Sequence, residues 1–174
     1  KAFAAFAQIG DYTTVNISCP NTCGGEPFTD PGRLERLLTV LDAIETSKPV
    51  FLKASADLSK EQLDTLVKIC DTHRVHGFIL TNLIKRRDLL PCVDQTETRG
   101  LDKGGISGRP VFDLSNELIS HLYQTVGKRY IIIGSGGVFS AEDAYEKIRR
   151  GASLVQLATG MIFEGPQLIG EINR

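Results

Sequence analysis

The stretch VFLKASADLSKEQLDTLVKIC, residues 50–70, decides the fold. It opens with a nearly continuous apolar run of strand length, VFLKA. Ser59 then precedes Gln62 by three residues, the reciprocal capping pattern that starts a helix. Behind it, Leu63, Leu66, Val67 and Ile69 recur at helical spacing. One strand followed by one capped helix is a βα unit, and the chain repeats it. Upstream, residues 13–18 (TTVNIS) form a β-branched run that ends in a Pro/Asn/Gly-rich loop, residues 19–31. Asp30 caps the next helix with Pro31 in its first turn and Leu34, Leu37, Leu38, Leu41 and Ile44 along one face. Downstream, residues 77–81 (GFILT), 130–134 (YIIIG) and 153–158 (SLVQLA) predict three further strands. A helix from about Leu114 to Val126 precedes the fourth strand, and Ser140 caps another that runs through Arg150. The polar segment 82–110 interrupts this rhythm, and loops that long are usually functional or disordered.

Strands joined by helices pair in parallel through right-handed crossovers, so the pattern predicts a single α/β domain over residues 1–174, with strands buried on both faces. Periodicity leaves two architectures open: a doubly wound sheet, or part of a barrel. The 174 residues fall short of the roughly 250 that a complete (β/α)₈ barrel needs.

The chain carries 20 Lys+Arg against 21 Asp+Glu, a formal charge of -1. That balance argues against nucleic acid as a partner, because phosphate recognition draws on clustered basic residues. No apolar stretch approaches the ~20 residues that span a bilayer. The opening KAFAAFAQIG lacks the pattern of a signal peptide and reads as the tail of a helix that begins earlier. Cys19, Cys23, Cys70 and Cys92 are unevenly spaced, which favours reduced thiols in a cytosol-like compartment. His73 and His76 close a helix in this reading and His121 lies within one, so all three read as surface residues. Cys70, His73 and His76 have no evident fourth ligand, and no metal site is expected.

In parallel α/β folds ligands bind at the carboxyl ends of the strands. The residues there are Asn16 and the loop Ser18-Cys19-Pro20-Asn21-Thr22, Lys53, Thr81-Asn82, Gly134-Ser135-Gly136-Gly137, and Ala158-Thr159-Gly160. A glycine-rich turn between strand and helix either cradles an anion on its N–H groups or simply lets the chain turn. Two such turns after the last two strands match the usual barrel phosphate site. Lys53, inside an apolar strand, either meets an anionic partner or reaches solvent by its stem. Asn16, Asn21 and Asn82 can donate and accept at once, which suits a planar ligand with carbonyl and N–H groups; each is also a common turn former. Cys19 is a candidate base or nucleophile, or else an inert small hydrophobe.

Six motifs, in order and spacing, resemble the dihydroorotate dehydrogenases: VNISCPNT (15–22), VFLKASADLS (50–59), FILTN (78–82), GGISGRP (104–110), IIIGSGGV (131–138) and GASLVQLATG (151–160). The tail MIFEGPQLIGEI is similar to their closing helix. The resemblance implies a partial TIM (β/α)₈ barrel, about its last five βα units, as a C-terminal fragment of a longer chain. It implies FMN as cofactor and oxidation of dihydroorotate to orotate in pyrimidine biosynthesis. On the matching positions, Lys53 stabilises negative charge at the flavin pyrimidine edge. Asn16, Thr81, Ser107, Gly108, Ser135, Gly136, Gly137, Ala158 and Thr159 hold the cofactor, and Gly108, Gly137 and Thr159 lie at the ribityl phosphate. Asn16, Asn21 and Asn82 bind orotate, and Cys19 takes the catalytic-base position. The TN and ISGRP motifs are similar to the quinone-linked class 2 enzymes, which implies a quinone acceptor and peripheral membrane association through an N-terminal region. Cys at position 19 instead resembles class 1, and Leu83 stands where class 2 has Thr. Two other readings compete: another pyrimidine-reducing FMN barrel similar to dihydropyrimidine dehydrogenase, and a truncated barrel without catalysis.

Overall fold

The computed structural model describes residues 1–18, 28–94, 96 and 104–174. Its elements are α1 (Ala2–Phe6), β1 (Thr13–Asn16), α2 (Pro31–Asp42), β2 (Val50–Ala54), α3 (Lys60–Cys70), β3 (Gly77–Leu80), α4 (Phe112–Val126), β4 (Ile131–Ser135), α5 (Ala141–Arg149), β5 (Leu154–Gln156), α6 (Thr159–Glu164) and α7 (Gln167–Ile172). Short 3₁₀ turns at Arg87–Leu89 and Arg109–Val111 punctuate the excursion between β3 and α4. The strands form one sheet in chain order, β1-β2-β3-β4-β5, with every pair parallel.

Local chemistry starts the helices where the sequence says it should. Asp30 accepts from Arg33 N at 2.9 Å with Pro31 beside it. Ser59 accepts from Gln62 N at 3.3 Å while Gln62 accepts from Ser59 N at 2.8 Å, completing the capping box. Ser140 accepts from Asp143 N at 3.2 Å. Each cap answers N–H groups that the first helical turn leaves open.

Several boundaries differ from the sequence reading. β1 stops at Asn16; Ile17 N still donates to Lys53 O at 3.2 Å, and the chain then turns, with the Ser18 N–H on Asn16 Oδ1, 3.1 Å away. The closing helix is two helices, α6 and α7, broken where Gly165 adopts φ 82° and Pro166 follows. α3 ends at Cys70, so His73 and His76 lie in the connection to β3. His73 is no surface residue: its side chain is 7% exposed, with Nδ1 2.6 Å from Asp42 Oδ2 and Nε2 3.2 Å from Glu35 Oε1. His76 accepts at Nδ1 from Val50 N, and His121 pairs with Asp64.

Side chains alternate across each strand, so register divides the sheet into two faces. Leu52, Phe78, Leu80 and Ile132 face the helices and are buried with Leu34, Leu38, Leu63, Leu66, Ile119 and Leu122. Phe78 meets Tyr130 edge to face at 5.2 Å. On the other face Phe51, Ile79 and Ile133 form a separate apolar cluster, with Tyr12 set edge-on to Phe51. A groove of about 630 Å³ runs from this face round the β5 edge, bounded by Tyr12, Ile133 and Leu154 and by Tyr145, Ile148 and Ile169 of α5 and α7. β1 and β5 are edge strands.

Two outcomes follow from this architecture. Unpaired strand edges beside an exposed apolar face promote association, so the 174-residue chain expressed alone should self-associate; light scattering showing a stable monomer would contradict this. The second concerns His73, where burial opposes the charged imidazolium but its hydrogen bonds to Asp42 and Glu35 outweigh it and raise its pKa. The stability it adds is complete below the ordinary value of about 6.5 and lost as pH rises through the raised value. Urea midpoints should fall across that interval, and His73→Gln should flatten the dependence.

Candidate functional site

The row of inner-face residues changes character at the carboxyl ends of the strands. Asn16 pairs in register with Lys53, Lys53 with Ile79, Ile79 with Ile133, and Ser135 with Gln156. Thr81 continues β3 by donating its N–H to Ser135 O at 2.7 Å. The lower inner face is apolar and its upper rim is polar, so the rim is where a polar ligand can meet the sheet.

That rim borders a cleft of about 140 Å³ lined by Lys53, Thr81, Asn82, Ser107, Gly108, Ser135, Gly136, Gly137, Ala158 and Thr159. The fold therefore brings these sequence-nominated positions together around one space. Asn16 joins from the side: Asn82 Nδ2 donates to Asn16 Oδ1 at 3.4 Å and to Ser18 Oγ at 3.1 Å. Asn16 Oδ1 also accepts from Ser18 N and Oγ, each at 3.1 Å. With that oxygen and Asn82 Nδ2 so engaged, the pair presents an Asn16 amide donor and an Asn82 carbonyl acceptor. Cys19 and Asn21 lie outside the described residues.

Lys53 is half-buried, and its Nζ donates to Gln156 Oε1 at 3.0 Å. Its recorded partner is thus a neutral amide, where the sequence reading looked for an anion. Burial holds its pKa below the usual lysine range, so an anionic group arriving in the cleft would relieve a standing desolvation cost. Thr81 carries a second unmet demand, for its Oγ1 is buried without a hydrogen-bond partner. A buried hydroxyl in that state points to a ligand that supplies the missing partner. Cys70, by contrast, is buried beneath α3 with its thiol pushed up to about 12 by burial and by Asp71, and is inert at neutral pH.

Two loops build the far wall. Gly137 adopts φ 74° and packs so closely on α4 that a Cβ there would stand 2.5 Å from Phe112 Cβ. Ser107 and Thr159 hydroxyls meet at 3.0 Å, tying the GGISGRP segment to the start of α6. Arg109 Nη1 reaches Asp143 Oδ1 at 2.6 Å and Gly137 O at 3.4 Å, while Asp143 Oδ2 accepts from Phe139 N at 2.9 Å. The sequence reading placed Ser18 at a strand tip without giving it a role, and it missed Gln156, the Arg109–Asp143 clamp and the buried Lys147. Gln156 and Ser18 carried a signal, since both stand at strand tips.

Among the described residues no group of three or more His, Cys, Asp or Glu could hold a metal ion, and no helix is long and apolar enough to cross a membrane. The donor set that remains, a cation, hydroxyls, amides and glycine-rich turns, fits an organic ligand that carries an anionic group. The volume is below the ~300–1,000 Å³ of complete small-molecule sites, so by itself the cleft could enclose only part of such a ligand.

Comparison with known proteins agrees with this chemistry. The family model described as "Dihydroorotate dehydrogenase" matches residues 1–174. The "Dihydroorotate dehydrogenase (quinone)" of a Nostoc species is 39% identical over 176 residues, covering 99% of this chain and 47% of the relative. The protein of that name from Myxococcus xanthus is 40% identical over 172 residues, covering 97% of this chain and 46% of the relative. Among solved structures, ligand-free DHODH from Eimeria tenella aligns with TM-score 0.81 at 28% identity, covering 94% of this chain and 49% of that one. The same organism's DHODH in complex with ferulenol aligns with TM-score 0.84 at 25% identity, covering 98% and 50%. The chain thus spans about half the length of the relatives it matches, and its parallel sheet corresponds to part of a TIM barrel.

The unpartnered Thr81 hydroxyl gives a direct test. Thr81→Val removes a buried group that has no partner, so stability should hold or rise by about 1 kcal/mol, read from urea unfolding. Binding of the cleft's ligand should weaken in the same variant. A loss of stability would mean that Oγ1 is bonded within the protein.

Proposed function

The chain belongs to the dihydroorotate dehydrogenase family, and from that premise we propose that the protein takes part in FMN-dependent oxidation of dihydroorotate to orotate in pyrimidine biosynthesis, with a quinone as final acceptor. One observation carries this reading: a single cleft gathers Lys53, the unpartnered Thr81 hydroxyl, Asn82 and the two glycine-containing turns. We further propose that these residues form the C-terminal part of the barrel, with the remaining strands completing the pocket over the open inner face. Peripheral association with the inner or cell membrane belongs to the same proposal, because the acceptor is lipid-soluble.

When bound, FMN supplies the acceptor for the hydride that leaves C6 of dihydroorotate. Every other requirement falls on the chain. Lys53, half-desolvated and held to Gln156, offers a positive charge to the pyrimidine edge of the flavin. Thr81 Oγ1 would supply a hydroxyl to the same ring, and Gly108, Gly137 and Thr159, which line the same cleft, would hold the ribityl phosphate. Asn16 and Asn82 present one amide donor and one carbonyl acceptor, the complement of a ring that carries a carbonyl beside an N–H. Asn21 adds a third amide in this proposal.

Cys19 follows Ser18 directly, and we assign it the base that takes the C5 proton. The C5–H bond gives its electron pair to the forming C5=C6 double bond as C6 loses hydride, and the proton moves to sulfur. A thiolate near its ordinary pKa of about 8.5 suits such a transfer close to neutral pH. Fixed amides and a nearby cation stabilise the charge that develops on the ring, without reorganisation during the step.

Two measurements test the proposal. The intact protein should carry a flavin band near about 450 nm that bleaches when dihydroorotate is added without oxygen; a protein that binds no flavin would refute it, and one whose band ignores dihydroorotate would point to another flavin barrel. In Cys19→Ser, flavin reduction should slow and its pH profile should shift upward, because a hydroxyl is a far weaker acid than a thiol. Unchanged reduction kinetics would remove Cys19 from the mechanism.

A further inference from the structure

Behind the wall of the cleft lies a second lysine that the proposed chemistry leaves unused. Lys147 on α5 is fully buried. Its Nζ donates to Ser115 Oγ and Asn116 Oδ1 on α4, each at 3.0 Å. Both partners are neutral. The stem fits because residue 134 is glycine, where a Cβ would stand 2.9 Å from Lys147 Cδ. A buried ammonium without a carboxylate in contact costs several kcal/mol, and packing alone does not call for one.

Two routes lead from this charge to the cleft. Ser115, which accepts from Lys147, directs its own hydroxyl at Ser135 O, 2.7 Å away. That carbonyl, which also accepts from Thr81 N, is thereby braced from the α4 side. Phe112 forms the second route, its ring centroid 5.0 Å from Lys147 Nζ and its Cβ packed against Gly137. Arg109 lies 5.0 Å from the same ring, but its guanidinium is paired with Asp143. Lys147 thus makes its hydrogen bonds to neutral groups, while Asp143 and Asp113 act on it only through space.

We propose that Lys147 is a positioning residue that gives the cleft its preference for a phosphoryl-bearing ligand. It braces the Ser135 carbonyl through Ser115 and sets a positive potential behind the turn at Gly134–Gly137, where a phosphate dianion would lie. The inference rests on the FMN reading and deepens it, assigning to this chain the discrimination between FMN and the same flavin without phosphate, riboflavin.

The intact protein, stripped of flavin, should be titrated with FMN and with riboflavin while flavin fluorescence is followed. In Lys147→Met, FMN affinity should fall about tenfold and riboflavin affinity by less than about threefold. Equal weakening of both ligands would show a purely structural role and overturn the inference, as would unchanged FMN affinity. A second measurement needs no variant. Burial lowers the Lys147 pKa to about 8, with Asp143 raising it, Arg150 lowering it and Asp113 raising it. Asp143 and Arg150 belong to α5, Asp113 faces from α4 and Arg109 stands beyond the ring; from about pH 7 to about pH 9 a phosphate with its second pKa near 6 stays dianionic. Over that range FMN affinity should fall relative to riboflavin affinity, and a constant ratio would overturn the proposal. Should the unsubstituted protein bind both flavins equally well, this inference alone fails; should it bind neither, the FMN reading fails with it.

Discussion

Everything in this molecule depends on the register of parallel strands. Because side chains alternate across each strand, pairing Asn16 with Lys53 and Ser135 with Gln156 puts their side chains on the inner face. A slip of one residue would turn Lys53 into the helix-packed layer and Leu52 into the cleft. The register is held by that packed layer, where Leu52, Phe78 and Ile132 are fully buried. The apolar side of the sheet thus enforces the geometry of the polar side.

Two lysines then face the same problem of desolvation from opposite sides of one wall. Lys53 stands in the cleft against an amide, half-buried. Lys147 stands behind it against a hydroxyl and an amide, fully buried. Among the described residues neither has a carboxylate hydrogen-bond partner, and in the proposed reading both direct positive potential at the space between the strand tips and the glycine-rich turns. A low-dielectric surrounding strengthens that potential, since charges in a protein interior are screened less than in water.

The described parts of the excursion after β3, residues 81–94 and 104–111, are anchored to the sheet and to each other. The base of the excursion is closed by a bridge between Ile84 and Ile106, and Ile84, Leu90 and Val111 form a small core of their own with Ala56. Asp57 accepts from the backbone N–H groups of Lys85 and Arg86 at 2.9 Å and 2.8 Å, fixing the segment as it leaves the sheet. This anchoring sets Ser107 and Gly108 against Thr159, so an irregular segment becomes one wall of the site.

What the sequence determined by itself is what short-range physics controls. Helix starts at Asp30, Ser59 and Ser140 were legible because a cap and the N–H it answers lie within three residues. The parallel α/β class followed from alternating periods and the cleft positions from strand tips, whereas periodicity left strand order open between a doubly wound sheet and part of a barrel. The tertiary structure decided which distant polar groups meet. Asn82 reaches Asn16 across 66 residues, and Arg109 reaches Asp143 across 34. Lys147 reads as one more basic residue in the last turn of an amphipathic helix; only the packing of α5 on α4 reveals it as buried. His73 misled for the same reason, its carboxylate partners lying on α2 while its own helix had already ended. Local patterns encode propensity and direction along the chain, whereas burial and pairing depend on how faces dock, and docking is settled by the whole core at once.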